Sequence, residues 1–553
     1  MKKLLLSFAI FTSLGIAANA SAGSAEFFID KDYDISAREK ITAVLVAETT
    51  RAYFYADEGW FNLTGNQAET IGKIVALGDE FENVIYPGLT LNYGAEANPG
   101  IDNNPKIYVL IHPMKNNFGG YFRSNDGYKK VQISNSNEKE MVYINADYIP
   151  KDLAKSLLAH EFTHLITFNQ KENKYNITEN IWLNELRAEY ASTLLHYDDV
   201  LEGSNLGKKI KIFSEHPSDA LTDWQSSSHD YGSISLFGQY LVDHYGFKIL
   251  SDSLQSQKTG EESLNYALEK NGFQKKFSGI FIDWTIAVLL NDCKYGKEYC
   301  YLNENLKNFH INPQINFLPL NGSSTLTFMD SSKPYAGNWF KIIGGNGGLK
   351  YSFRVFNESE NKINYITKNK AGIYEVGSLE FMNSQADLNI ENFGTDITSL
   401  FVIPVFTESD NLFHSFSWSA TIEKKQDDLN IINNLLARIS ELQSQIALLQ
   451  SQIAAISNSK TNPDSMACNI SGSFYFGQKS EGVRCLQEFL KSQGPDIYPE
   501  GLITGYFGKM TKSAVIRFQE KYAAEVLTPL GLIAGTGYVG SSTKAKINQL
   551  LTI

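Results

Sequence analysis

Cysteine is scarce, with four in 553 residues. Neither local pair reads CxxC and no histidine lies near either, which disfavours a cysteine-built metal site. The two pairs are Cys293 with Cys300 and Cys468 with Cys485. Locality suggests these as disulfides in an exported chain, out of the three connectivities that four cysteines allow. Basic excess is also absent: 49 Lys and Arg face 61 Asp and Glu, a formal charge of −12. A nucleic-acid partner wants a basic face and is excluded on that ground. Surface acidity of this kind serves solubility. Past the N-terminus no stretch is long and apolar enough to cross a bilayer. No EF-hand pattern occurs, and structural calcium stays open.

What is present begins with a targeting segment. Lys2 and Lys3 precede the apolar run LLLSFAIFTSLGIAA, followed by ANASA. Small residues at that spacing suit signal peptidase, with a cut after Ala20 or Ala22. The run is short for a membrane anchor, and no cysteine stands at the cut as a lipoprotein would need. Residues 1–22 are therefore read as a signal peptide on an exported chain.

The most informative stretch is AHEFTHLITF, with His160, Glu161 and His164. Leu153, Leu157, Phe162, Leu165 and Ile166 give helical apolar spacing after Pro150 and Asp152. Side chains four apart share a helix face, so both imidazoles can grip one metal ion while Glu161 reaches a water on it. By chance HExxH arises in about one chain in a hundred of this length, so it needs a third ligand. TENIWLNELRAEYASTLL supplies one. Glu185 and Glu189 are four apart on one face: the first can complete the metal site, the second can accept from a histidine's other ring nitrogen. Thr178 is expected to cap this helix, with Ile181, Leu183, Leu186 and Tyr190 among its buried positions. The remaining histidines (His112, His196, His216, His244, His310, His414) have no ligand spacing.

HEFTH followed by N-E-x-x-x-E (Asn184, Glu185, Glu189) resembles the gluzincin pattern of thermolysin-like zinc metallopeptidases, with a secreted hyicolysin-like group closer than thermolysin itself. Glu189 stands where that pattern usually has Asp. The resemblance implies Zn²⁺ on His160, His164 and Glu185, with Glu161 as general base. It also implies a downstream Tyr or His that stabilises the oxyanion. SSSHDYGSISLFGQYLVDHYG offers Tyr231, the preferred candidate, and His229. An edge strand lining the cleft is implied as well, and GGYFRS (Gly119 to Ser124) is placed close to it. Nothing like an exopeptidase motif precedes HEFTH.

The expected fold class is multidomain. Residues 23–312 form an α+β zincin-like catalytic domain. ISAREKITAVLVAETTRAYFY is expected to be helical at first and strand-like by its end; KIYVLIHP and EMVYINA read as strands. Residues 313–424 carry short β-rich runs between Gly, Asn, Ser and Asp, which predicts a β-sandwich. Residues 425–457 show heptads, with Ile432, Ile439, Ile446 and Ile453 at a and Leu435, Leu442, Leu449 and Ile456 at d. That pattern predicts a two-stranded coiled coil and a homodimer; the rival is a lone helical spacer. A linker at 458–467 follows.

Residues 468–553 resemble the small three-helix peptidoglycan-binding domain, on Leu486, Gln487, Leu490, Gly505, Phe507, Gly508, Thr511, Ala514, Val515, Phe518 and Gln519. Gly508-x-x-Thr511 recurs as Gly540-x-x-Thr543, each expected to cap a helix. The resemblance implies peptidoglycan as a partner and a place at the cell wall. The leading expectation is a secreted zinc endopeptidase acting on proteins or peptides. The rivals are a catalytically inactive wall-binding surface protein and a metallopeptidase that cuts peptidoglycan stem peptides.

Overall fold

A computed structural model describes residues 23–115, 118–356, 363–408, 410, 412–424, 429–457, 470 and 472–551. The signal segment, residues 425–428, the linker and Cys468 lie outside the described residues.

Strands lead. β1 (Ser24–Phe28), β2 (Lys40–Glu48), β3 (Ala52–Asp57), β4 (Ile107–His112), β5 (Gly120–Phe122) and β6 (Met141–Asn145) form one sheet in the order β1-β2-β3-β4-β6-β5. The start of ISAREKITAVLVAE is not helical, contrary to expectation. The β-branched Ile41, Thr42, Val44 and Val46 favour extended backbone, and Arg38 is held by Asp34 at 2.7 Å and Asp57 at 2.6 Å. β3, β4 and β6 run parallel, and every residue of β4 is buried, as a strand covered on both faces must be. β5 pairs antiparallel with β6 and is the sheet's edge.

One face of this sheet packs on the helices Gln67–Glu80 and Leu153–Phe168, the motif helix, through Phe54, Ile74, Val109, Ile144 and Phe162. The other face buries Phe27, Leu110, Tyr121 and Tyr143. Helices then dominate: Ile181–Leu194 (the glutamate helix), Asn205–Glu215, Asp230–Tyr245, Gly260–Lys270 and Phe277–Leu290. Two details of the glutamate helix differ from expectation. Its N-cap position is Asn180 rather than Thr178, without a side-chain bond. Ile181 is 56% exposed, and Trp182 takes the buried place. The disulfide Cys293–Cys300 closes the loop after the last helix. Cys485 is also disulfide-bonded, while its expected partner Cys468 is not among the described residues.

Nine more strands follow: β7 (Gln314–Leu318), β8 (Ser324–Ser332), β9 (Phe340–Gly344), β10 (Gly347–Val355), β11 (Asn364–Asn369), β12 (Tyr374–Ser378), β13 (Gln385–Phe393), β14 (Ile397–Ile403) and β15 (His414–Lys424). They make two layers, β8-β15-β10-β13 and β12-β11-β14-β9-β7, joined where Phe393 pairs with Ile397. Buried and exposed residues alternate along β10, and Leu349, Tyr351 and Phe353 line the same buried face as Phe416 and Trp418 of the neighbouring β15. This β unit shares its other apolar face with the helices. Tyr335, Trp339, Phe401 and Val405 belong to the same buried cluster as Phe277, Phe281 and Trp284. The indole of Trp339 donates to the Thr285 carbonyl at 2.8 Å.

A helix spans Leu429–Ser457, with Ile439, Leu442, Ile446 and Leu449 each exposed. No described helix is long and apolar enough to cross a membrane.

The last compact unit has its own core of Ile470, Leu486, Leu490, Phe507, Val515, Phe518 and Ile547. Its helices are Glu481–Ser492, Lys509–Lys521, the short Ala523–Val526 and Ser541–Leu551. Thr511 does not cap its helix; Gly508 shows no side-chain cap bond. Instead the Gln487 amide donates to Thr511 Oγ1 at 2.9 Å and to the Tyr506 carbonyl at 2.8 Å, and accepts from the Gly505 N–H at 2.8 Å. Gln519 repeats this with Thr543 at 2.9 Å, the Tyr538 carbonyl at 2.7 Å and the Gly537 N–H at 2.9 Å. Every member of the second set lies 32 residues after its counterpart, so the unit is internally duplicated. Each buried amide stitches a T-G-Y turn to the helix that follows it.

Candidate metal centre

The motif helix and the glutamate helix pack side by side, which brings their polar faces together. His160 Nε2 lies 3.1 Å from His164 Nε2. Glu185 straddles both: one carboxylate oxygen is 3.2 Å from His160 Nε2 and the other 3.5 Å from His164 Nε2. Atoms bound at about 2.0–2.1 Å around a tetrahedral zinc are about 3.3–3.4 Å apart. The two ring nitrogens and the carboxylate are separated by 3.1, 3.2 and 3.5 Å, close to that spacing, with each nitrogen facing a different Glu185 oxygen. The Glu185 oxygen nearer His160 is buried and accepts no hydrogen bond, as does an oxygen meant for a cation. His160, Glu161 and His164 also cluster within 4.8 Å of one another.

Electrostatics follow from this crowding. Burial opposes charge on His160, but Glu185 and Glu189 outweigh it and raise its pKa well above the usual value. Burial would raise Glu185, yet His164 and His160 hold it well below the ordinary carboxylate range. Glu161 is pushed up to about 7, chiefly by burial. It lies beneath the sheet edge at Gly120. A β-carbon at Gly120 would come within 2.6 Å of the Tyr143 carbonyl and 3.0 Å of Glu161 Oε1. Only glycine lets the edge strand approach this close. GGYFRS thus meets the motif helix, with Gly119 over Leu157 and Gly120 over Glu161.

Glu189 has four polar neighbours, two of them hydrogen-bond donors and two ion-pair partners. His160 Nδ1 is at 3.4 Å, Lys209 Nζ at 3.2 Å, Asn205 Nδ2 at 2.7 Å and Ser235 Oγ at 3.3 Å. Against burial, Lys209 and His160 lower its pKa to about 2. Lys209 and Asn205 went unnoticed in the sequence. Their signal was there: they are four apart on a helix capped by Ser204, hence on one face.

The two oxyanion candidates have different surroundings. Burial raises the Tyr231 hydroxyl far above its usual pKa, and Glu185, Glu189 and Glu161 add to the effect. It stays protonated, a donor in the field of the site's carboxylates. Its ring packs edge-on to Trp224 at 5.0 Å and lies under Lys209 Nζ at 4.2 Å. His229 instead stacks on His216 with ring centroids 3.5 Å apart.

Comparisons with known proteins find a family model for part of the C-terminal unit and a metalloprotease relative for part of the chain. Residues 479–547 match the family model described as a peptidoglycan binding domain. The chain is thus multidomain and joins a metalloprotease-like part to a peptidoglycan-binding domain. The relative behind the first part is the neutral metalloprotease ShpI of Staphylococcus hyicus, 27% identical over 246 residues. That match takes in 40% of this chain and 52% of the relative, so the chain spans about half the relative's length. It is a distant homologue, and the homology implies a metal cofactor. Among solved structures, the pre-peptidase C-terminal domain of a Bacillus anthracis collagenase aligns with 20% of this chain and 96% of its own at 9% identity and a TM-score of 0.14. The lysozyme inhibitor PliG of Aeromonas hydrophila aligns with 20% of this chain and all of its own at 12% identity and a TM-score of 0.15.

Proposed function

We propose that the chain is a secreted, zinc-dependent endopeptidase of the gluzincin type, with a zincin-like catalytic domain, that cuts proteins or peptides at the cell wall. The observation that carries this reading is the convergence of His160 Nε2, His164 Nε2 and the Glu185 carboxylate at 3.1–3.5 Å from one another. Zn²⁺ bound there would supply a Lewis acid that acidifies a water and polarises the scissile carbonyl.

The chain's own residues do the rest. Glu161 takes the proton of the attacking water at its carboxylate and delivers it to the leaving amine. Tyr231 donates its hydroxyl proton as a hydrogen bond to the developing oxyanion. Glu189, accepting at His160 Nδ1, fixes that ring so that Nε2 faces the metal. The unpaired side of β5 offers backbone groups to an extended peptide, which explains how many sequences can be accepted. The 479–547 domain holds the enzyme on peptidoglycan, and the helix Leu429–Ser457 pairs with that of a second chain.

The test is one zinc per chain by metal analysis, and Glu161→Gln. This variant keeps the metal and loses hydrolysis of a casein-type substrate by about a thousandfold. Full activity in Glu161→Gln removes the mechanism. The match to a peptidoglycan-binding family favours a second substrate reading, the stem peptides of the wall itself. Release of muropeptides from purified sacculi by the wild type, absent with Glu161→Gln, selects it.

A further inference from the structure

The reading of the centre leaves unused a cation that lies against it. Lys209 belongs to neither zinc-bearing helix, yet its side chain is only 14% exposed. Its ammonium sits between two groups of the site: 3.2 Å from Glu189 Oε1 and 4.2 Å from the centroid of the Tyr231 ring. The other three donors on Glu189 leave its carboxylate no freedom to turn. A glutamate side chain has rotamer freedom, so keeping one carboxylate oxygen on His160 Nδ1 needs restraint. Asn205 and Lys209, on one face of the same short helix, supply that restraint.

We propose that Lys209 is a positioning residue that orients both halves of the centre, the His160 ring through Glu189 and the Tyr231 hydroxyl through its ring face. The inference rests on the zinc reading of His160, His164 and Glu185. An ammonium on an aromatic face is attracted by the ring's quadrupole, and one on a buried carboxylate by charge; a neutral chain of the same length meets neither demand. Support of a metal-bound histidine is typically worth about 10–100-fold in metal affinity or activity.

The experiment compares wild type, Lys209→Met and Lys209→Arg as full chains loaded with Zn²⁺. Two quantities are read: the rate of Zn²⁺ release to a colorimetric chelator, and kcat and KM on a peptide substrate. Lys209→Met is expected to release zinc about tenfold or more faster and to lose kcat by a similar factor with KM little changed. Lys209→Arg, which can still bridge a carboxylate and a ring, is expected to recover most of both. Far-ultraviolet circular dichroism of each variant checks that it is folded. A folded Lys209→Met with wild-type zinc release and wild-type kcat overturns the proposal while leaving the zinc site intact. The proposal also falls if Lys209→Arg behaves like Lys209→Met, since a cation in that place would then be immaterial. Should the wild type bind no zinc, the reading of the centre itself fails and Lys209 loses its role with it.

Discussion

Arg187 stands two residues beyond Glu185 and is wholly buried. Its guanidinium donates to Glu179 Oε2 at 2.8 Å and to Ser253 Oγ at 2.8 Å. Lys171, also buried, lies 3.6 Å from the same Glu179 oxygen, and the Gly260 N–H donates to the other at 2.7 Å. This network anchors the glutamate helix from behind. Burial would raise the Glu179 pKa, but Arg187 and Lys171 overcome it, so the folded value lies below the unfolded one. The unfolded chain then binds more protons in that window, and stability rises with pH across it. Glu179's contribution is complete above an unfolded pKa near about 4.3 and fades as pH falls through the folded value. Glu179→Gln strands two cations and should cost about 3–5 kcal/mol at pH 7. Denaturant melts at pH 7 and pH 3 check this: the gap between variant and wild type should narrow at pH 3, and an equal gap at both rejects the ionic account. At this scale the juxtaposition of His160, His164 and Glu185 was legible, because helix geometry turns a spacing of four into a shared face. Glu179 was not, since its partners come from segments up to 81 positions away. Nor did sequence show that Tyr231 and His229, which open the same helix, have different neighbours: Trp224 and Lys209 for the first, His216 for the second.

Elements were legible where their period was clean. β4 and β6 were plain from β-branched and aromatic runs, and the heptads forecast a helix that the structure carries from Leu429 to Ser457. The misread start of β2 came from charged residues that look helical until Arg38 is claimed by Asp34 and Asp57. The packing of the β unit on the helices was also hidden. Trp339 and Tyr335 look like any core aromatics, and nothing local says that their partners are Thr285 and Phe277. The long helix makes its own prediction. Ile439, Leu442, Ile446 and Leu449 are between 44% and 55% exposed, a stripe at heptad spacing that a partner helix would cover. Apolar side chains left in water this way favour association by about 1.5–3 kcal/mol each on full burial. Sedimentation equilibrium of the full chain at tens of micromolar should therefore give twice the monomer mass, and Ile446→Asp should return it to one. A monomeric wild type at that concentration would leave the helix a spacer.

At the scale of the whole molecule, the apolar clusters decide which parts can act apart. The helices of the metal centre and the strands after Pro313 share one buried cluster through Tyr335, Trp339 and Phe401. Cutting between them would expose those aromatics, so the β unit belongs with the helices of the candidate centre. The 470–551 unit closes its own core around Phe507, Val515 and Phe518, and its Gln487 and Gln519 stitches are all internal. Sequence divided the chain by texture, which finds changes of element type but not which faces fuse. A chain ended at Lys424 therefore keeps all three clusters of the first unit whole and loses only the long helix and the C-terminal unit. Such a chain should hydrolyse a soluble protein substrate with kcat/KM within about twofold of the full chain, as a unit that folds alone would. It should also stay in the supernatant when peptidoglycan sacculi are pelleted, while the full chain goes down with them. If the shortened enzyme still sediments with sacculi, the catalytic part itself grips the wall, and the stem-peptide reading gains over a simple tether. If it loses activity on the soluble substrate as well, the two units are coupled in catalysis.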